Sequence, residues 1–238
     1  MITQAMVLAA GEGRSLRPLT DHTPKPLIQV GGKAMLDHAL DQLVAVGVKR
    51  CVINTCHLAD QIQAHIKERT KPEVIISHET TLLDTGGGLM KALPHFGGEP
   101  FFVLNADIWW RDRGHSSLAQ LSQFWDSMRM DALLLLVPVE KAIGYSGVGD
   151  YFLTPDGKAQ YRGNHPMAPY IFSGIRILHP RLLSGQEVRS FSIVPLFHKA
   201  EEQGRLFGLV YDGDWGDIGT LESLKAINED PRVKLVES

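Results

Sequence analysis

Apolar runs alternate with segments of helical period through the first half of the chain. Residues 5–10, 50–54, 73–77, 101–105 and 132–137 are apolar runs of strand length. Between them, residues 35–46, 59–68, 87–93 and 118–128 carry apolar positions three and four apart, as a helix with one buried face does. Gly47 follows the first of these and reads as its stop. Strands that alternate with helices predict an α/β fold of Rossmann-like type, a mostly parallel sheet with crossover helices.

Beyond Pro138 the texture changes to short β-rich runs. Residues 147–161 predict a hairpin around the turn sequence Thr154-Pro155-Asp156-Gly157. Strands are expected at 171–178 and 206–211, with a helix at 194–203 between them. Thr220 is placed to cap a last helix reaching about Asn228, with Glu222 and Ser223 in its first turn. The charged tail at 229–238 reads as solvated chain. With no repeat and no linker, one domain is expected, made of a half at 1–138 and a β-rich half at 139–238.

Composition narrows the function classes. The 238 residues are 44% hydrophobic and 21% charged, enough apolar content for one sizeable core. A net charge of −3 argues against nucleic acid or an anionic membrane as bulk partners, so any phosphate site must be built locally. Cys51 and Cys56 sit five positions apart along one strand and its exit, too far for a disulfide. They read as buried thiols of a reducing compartment. No apolar run reaches membrane-span length and the N-terminus lacks signal-peptide form, so a cytoplasmic protein is expected.

The loop after the first strand carries most of the chemistry. Ala9 and Ala10 are small enough to let backbone approach a ligand, and N–H groups from Gly11 through Glu12, Gly13 and Arg14 can cradle phosphate oxygens. Gly-x-Gly alone leaves three readings open. A dinucleotide fold would need a third glycine where Leu16 stands, and a P-loop would need a closing Gly-Lys-Ser/Thr. The third reading is a tight turn with no ligand. Thr23-Pro24-Lys25-Pro26-Leu27 breaks the tie, because two prolines stiffen the chain around Lys25 and fix where its ammonium points.

Gly-x-Gly followed by Arg17-Pro18-Leu19-Thr20 and Pro24-Lys25-Pro26-Leu27 resembles the sugar 1-phosphate nucleotidyltransferases, also called sugar-nucleotide pyrophosphorylases. The resemblance continues at Leu83-Asp84-Thr85-Gly86-Gly87-Gly88, Asn105-Ala106-Asp107, Phe172-Ser173-Gly174-Ile175 and Trp215-Gly216-Asp217-Ile218-Gly219-Thr220. It implies the nucleotide-diphospho-sugar transferase fold, with nucleotide bound by the first half and sugar by the second. It further implies magnesium held by Asp107 and Asp217, catalysis by those two with Lys25, base recognition by Thr85 and Gly86, and sugar contacts from Asn105 and Gly174. The substrates implied are a nucleoside triphosphate and a sugar 1-phosphate, handled by a monomer or small homo-oligomer. An aspartate at a strand end can also be a cap, and a glycine run can be a helix start. Trp109 and Trp110 read equally as packing, Gly31-Gly32-Lys33 as a tight turn, and His57, His65 and His78 as scattered surface residues.

Two departures from the family pattern stand out. The family places an arginine, which clamps the departing β- and γ-phosphates, where this chain has Ser15; Arg14 and Arg17 are near but shifted. The expectation is weak triphosphate binding or slow turnover. Larger members also carry a Glu-Lys-Pro whose lysine binds the sugar phosphate, and only Arg162, Asn164 and His165 lie in that region here. Within the family, the short length and the Leu83–Gly88 motif most resemble the N-acetylmuramate-1-phosphate uridylyltransferases of cell-wall recycling, with UTP as donor. Mannose or heptose 1-phosphate with GTP, and a CTP-using relative, stay as alternatives. So does a non-catalytic nucleotide-sugar sensor, which Ser15 favours, and more remotely a dehydrogenase.

Overall fold

The computed structural model describes residues 1–234. Its strands are β1 (Gln4–Leu8), β2 (Gln29–Val30), β3 (Lys33–Ala34), β4 (Arg50–Thr55), β5 (Glu73–His78), β6 (Phe101–Asn105) and β7 (Ile108–Arg111). After them come β8 (Ala132–Pro138), β9 (Ala142–Ile143), β10 (Tyr151–Leu153), β11 (Ala159–Tyr161), β12 (Tyr170–Leu178), β13 (Leu206–Val210) and β14 (Asp214–Asp217). The α-helices are α1 (Met35–Ala45), α2 (Ala59–Ile66), α3 (Asp84–Ala92), α4 (Ser117–Phe124), α5 (Val194–Glu202), α6 (Leu221–Glu229) and the short α7 (Pro231–Lys234).

Among the described residues, nine strands form the main sheet. Its first part, β5-β4-β1-β6, is parallel throughout. β12 then lies antiparallel between β6 and β8, and β13 closes that side parallel to β8. The β10–β11 hairpin extends the sheet from the start of β12. A strand of the second half is thus inserted between two strands of the first, and both halves share one sheet.

The alternation along each strand explains the layers. Ala5, Val7 and Ala9 face one side with Leu36, Leu40 and Leu43 of α1, Ile62 and Ile66 of α2, and Leu118 and Leu121 of α4. Met6 faces the other side with Leu89 and Ala92 of α3 and Leu196, Phe197 and Ala200 of α5. β8 is buried along its whole length, with Leu133, Leu135 and Val137 on the first face and Leu134 and Leu136 on the second. A strand covered on both faces reads as a continuous apolar run, which is what its sequence shows.

A third apolar cluster lies beneath the loops and includes Leu16, Met35, Trp109, Ile218 and Ile227. It backs the small sheet β7-β14-β9, which periodicity does not predict because its strands are too short. Trp109 and Trp110 are both buried there and in the first core, so they pack. Gly31 and Gly32 take positive φ in the turn between β2 and β3.

Boundaries differ where side-chain period is a poor guide. β1 ends at Leu8, leaving Ala9 and Ala10 to the loop. α3 begins at Asp84 rather than 87, because its first turns are built of glycines that carry no apolar signal. α4 ends at Phe124 rather than 128, where Trp125 turns extended. Thr220 does cap α6, exchanging hydrogen bonds with Ser223 in a capping box. The expectation of a solvated tail is corrected for 229–234. Glu229 closes α6, and Val233 of α7 is buried against Gly31. Residues 235–238 of that tail lie outside the described residues. No described helix is long and apolar enough to cross a membrane.

Candidate active site

Parallel register brings three strand ends to one edge, the place where open α/β sheets bind ligands. Leu8 pairs with Asn54 on one side and Asn105 on the other. The chain leaving β1 bends over this edge and, with Lys25, Asn54, Asn105 and Asp107, walls a cavity that Leu82, Asp84 and Thr85 complete. Ala9, Ala10 and Gly11 line it directly.

A buried polar chain fixes this loop. The Ala9 N–H donates to Asn54 Oδ1 at 2.8 Å, and Asn54 Nδ2 donates to Glu79 Oε1 at 2.8 Å. Glu79 Oε2 in turn accepts the Leu83 N–H at 2.9 Å, tying the β1 exit to the approach to α3. A Cβ at Gly88 would fall 2.8 Å from both Asn54 Nδ2 and Glu79 Oε1, so the third glycine makes room for this chain. Periodicity does not reveal Asn54 or Glu79; the one signal available is a polar residue at the end of an otherwise apolar strand.

Further along, Gly13 takes φ +63°, a conformation open to glycine, and its carbonyl accepts the Thr20 hydroxyl at 2.8 Å. Leu16 plugs the apolar cluster below. Glu12, Gly13 and Arg14 do not line the cavity. Arg14 donates to Glu12, and that contact holds the Glu12 carboxyl below its usual range. Arg17 pairs with Asp21 at 3.2 Å, and Ser15 is exposed between the two arginines.

Lys25, Asp107 and Asp217 meet where the chain after β6 approaches β14. Pro24 and Pro26 flank Lys25 in a short 3-10 turn, and its Nζ donates to Asp107 Oδ2 at 2.9 Å. The Asp107 carbonyl accepts the Ile218 N–H at 3.0 Å, and β14 sets Asp217 opposite Ile108. Asp107 and Asp217 are therefore neighbours although 110 positions apart in sequence. The Asp217 carboxyl is pushed up to about 6, first by burial and then by the Asp107 charge, with Lys25 opposing.

This donor set fits magnesium, which takes one or two carboxylates and fills its octahedron with waters and substrate phosphates. Among the described residues no group of three or more metal-ligating side chains occurs, as an all-protein cage would require. Two crowded carboxylates, one held reluctant to ionise, are what a divalent cation relieves.

Asn105 and Gly174 are also brought together. Gly174 has φ +84° at an irregularity in the β12–β8 pairing, and a Cβ there would lie 3.1 Å from Asn105 Nδ2. Trp215 Nε1 donates to the Ser173 carbonyl at 2.9 Å, so the two C-terminal motifs join at this point.

Thr85 and Gly86 separate. Thr85 lines the cavity, and its Oγ1 accepts the Ile193 N–H at 2.9 Å, which leaves its own proton to donate. Gly86 does not line the cavity; its N–H donates to the Phe191 carbonyl at 2.9 Å, and a Cβ there would strike the Phe191 ring. Arg162 is bound to the carbonyls of Gly149 and His165, away from the cavity wall. His57 meets the Thr20 carbonyl, His65 meets Asp37, and His78 Nδ1 lies 3.5 Å from Thr55 Oγ1. Cys51 is a buried free thiol and Cys56 a half-buried one.

Comparison with known proteins adds three findings. Residues 4–149 match the nucleotidyl transferase family. The chain is 36% identical over 236 residues to the N-acetylmuramate alpha-1-phosphate uridylyltransferase of Caulobacter vibrioides, covering 97% of this chain and 93% of the relative. It is 32% identical to the protein of that name from Neisseria meningitidis, covering 93% and 95%. Its fold resembles the UDP-glucose pyrophosphorylase of Acinetobacter baumanii with a TM-score of 0.76, covering 99% of this chain and 97% of that one at 15% identity.

Proposed function

The chain belongs to the nucleotidyl transferase family, and we propose that it transfers uridylyl from UTP to N-acetylmuramate 1-phosphate with magnesium, releasing pyrophosphate. The observation that carries this reading is the 2.9 Å contact of Lys25 with Asp107 on the wall of a cavity floored by the β1 exit, with Asp217 beside them. The choice of base and sugar is supported by the two uridylyltransferase relatives.

Transfer of this kind needs positioning and charge neutralisation rather than a protein nucleophile. The sugar phosphate is already an anion; one of its oxygens attacks the α-phosphorus, a P–O bond forms, and the bond to the β-phosphate breaks. Lys25 neutralises the α-phosphate. Asp107 and Asp217 would hold the metal, whose charge offsets that of the assembled phosphates. The amides of Ala10 and Gly11 bind phosphate oxygens, on a loop that the chain of bonds from the Ala9 N–H through Asn54 to Glu79 holds in place. Thr85, its oxygen occupied by Ile193, offers a proton to a carbonyl of the base, and Asn105 meets the sugar.

Ser15 limits this machinery. With no arginine at that place and both neighbours paired to loop acids in solvent, the departing phosphates lack one positioned cation, which slows turnover. Pyrophosphate release with UTP and N-acetylmuramate 1-phosphate, native beside Ser15→Arg, tests the reading. Release from either protein supports it. Nucleotide binding without release from both would make the chain a nucleotide sensor.

A further inference from the structure

β12 carries an arginine where a sheet strand between two others calls for an apolar residue. Arg176 pairs with Val103 of β6 and Leu134 of β8, and it is 1% exposed. Among the described residues no carboxylate makes an ion pair with it, and its Nε has no hydrogen-bond partner. Burial pushes the guanidinium down to about 9, so it stays charged at neutral pH. The Asp107 charge offsets this burial only in part and from beyond ion-pair distance; a buried cation so weakly compensated is expensive, and well-packed apolar residues commonly replace such groups without loss of stability. Stability alone does not explain this residue.

Its bonds point to a task. Nη1 donates to Asn105 Oδ1 at 2.7 Å and to the Gly174 carbonyl at 3.1 Å, and the guanidinium rests on the Phe172 ring at 5.3 Å. A guanidinium can only donate, so the Asn105 amide must turn its oxygen inward. Nδ2 is then presented on the Gly174 side, where the missing Cβ leaves it room. Left free, an asparagine amide could rotate and offer either end.

We propose that Arg176 is a positioning residue of the sugar subsite: it locks Asn105 as a hydrogen-bond donor, so the subsite takes an acceptor oxygen of the sugar 1-phosphate, a hydroxyl or carbonyl. The inference rests on the assignment of Asn105 to the sugar. It adds that the polarity of this contact is set from beneath by a side chain that does not itself touch substrate.

Four variants test it: Arg176→Leu, Asn105→Ala, Asn105→Asp and the double Arg176→Leu/Asn105→Ala. The readings are melting temperature, steady-state constants for each substrate, and calorimetric binding of N-acetylmuramate 1-phosphate beside a non-reacting UTP analogue. Arg176→Leu is expected to melt no lower than the native protein while weakening sugar phosphate binding about tenfold, with KM for UTP within about twofold. Asn105→Asp keeps an acceptor for Arg176 but loses the donor, so it is expected to fold and yet bind sugar phosphate at least as weakly. The double variant should bind no worse than Asn105→Ala alone. Unchanged sugar affinity in Arg176→Leu, equal weakening toward both substrates, or additive losses in the double would overturn the proposal. If Asn105→Ala spares sugar binding while transfer continues, the proposal falls and the transferase reading survives. A native protein that neither binds nor uses any sugar 1-phosphate ends both.

Discussion

Two sets of charges lie along the edge where β1 ends, and they are held differently. In the loop after β1 the Arg14 side chain is 75% exposed and pairs with Glu12, while Arg17 pairs with Asp21 one turn on. Such pairs are screened and contribute little. Where β6 meets β14, the Lys25 side chain is only 13% exposed, bound to Asp107 beside an Asp217 whose carboxyl is pushed up to about 6. The loop charges satisfy each other locally, whereas those at the strand ends are crowded at a cost in stability that Lys25 offsets in part. The difference marks the strand-end charges, and not the loop pairs, as the candidates for function.

The sharpest way to break that contrast is to remove a crowded carboxylate. Asp107→Asn should lower pyrophosphate release about a thousandfold, measured at saturating substrates. Asp217→Asn should lose activity similarly but raise the melting temperature at pH 7.5, because it removes a buried like charge; a lower melting temperature would contradict the crowding. Lys25→Met should cost about a hundredfold in rate. At the exposed loop, Ser15→Arg should raise the rate toward about a hundredfold, while Arg14→Ala and Arg17→Ala change it less than about twofold. A sharp loss in either alanine variant would show that a shifted arginine already serves the phosphates.

Titration sharpens the same comparison. A carboxyl whose folded pKa is raised binds its proton more tightly than in the unfolded chain. Its contribution to stability is therefore present at low pH and is lost as pH rises through about 6. Without metal, unfolding free energy should fall by on the order of 2 kcal/mol between pH 4 and 7, an effect absent in Asp217→Asn. Magnesium should raise the melting temperature more at pH 7.5 than at pH 5, where protonated Asp217 competes with it. The loop's support is tested by stability: Gly88→Ala should destabilise by about 1–3 kcal/mol by pressing on Asn54 and Glu79.

How far the site was legible in the sequence follows from the physics of each part. The main strands and helices show because a sheet covered on both faces writes long apolar runs, and β8 is the plainest case. Motifs point to Lys25, Asp107 and Asp217 as candidates, and the structure brings those three side chains together. The small sheet β7-β14-β9 left no period, since strands of two to four residues are too short for one. Asn54 escapes periodicity because a single polar residue at a strand end carries no signal until the register sets it beside Leu8, and Glu79, just past β5, gains its place only through Asn54. The glycines of α3 suggested a close approach to a base. At Gly86, Gly87 and Gly88 the close approaches are to Phe191, Arg189 and the Asn54–Glu79 pair. Arg176 was hidden in an apolar strand motif, where one charged letter between Ile175 and Ile177 carries no period of its own.

The most direct test of the account is pyrophosphate release by the native protein with magnesium, UTP and N-acetylmuramate 1-phosphate, with Ser15→Arg and Asp107→Asn run beside it. The account predicts slow release by the native chain, faster release by Ser15→Arg and none above background from Asp107→Asn. Release that persists undiminished in Asp107→Asn, or silence from both the native chain and Ser15→Arg, would contradict it.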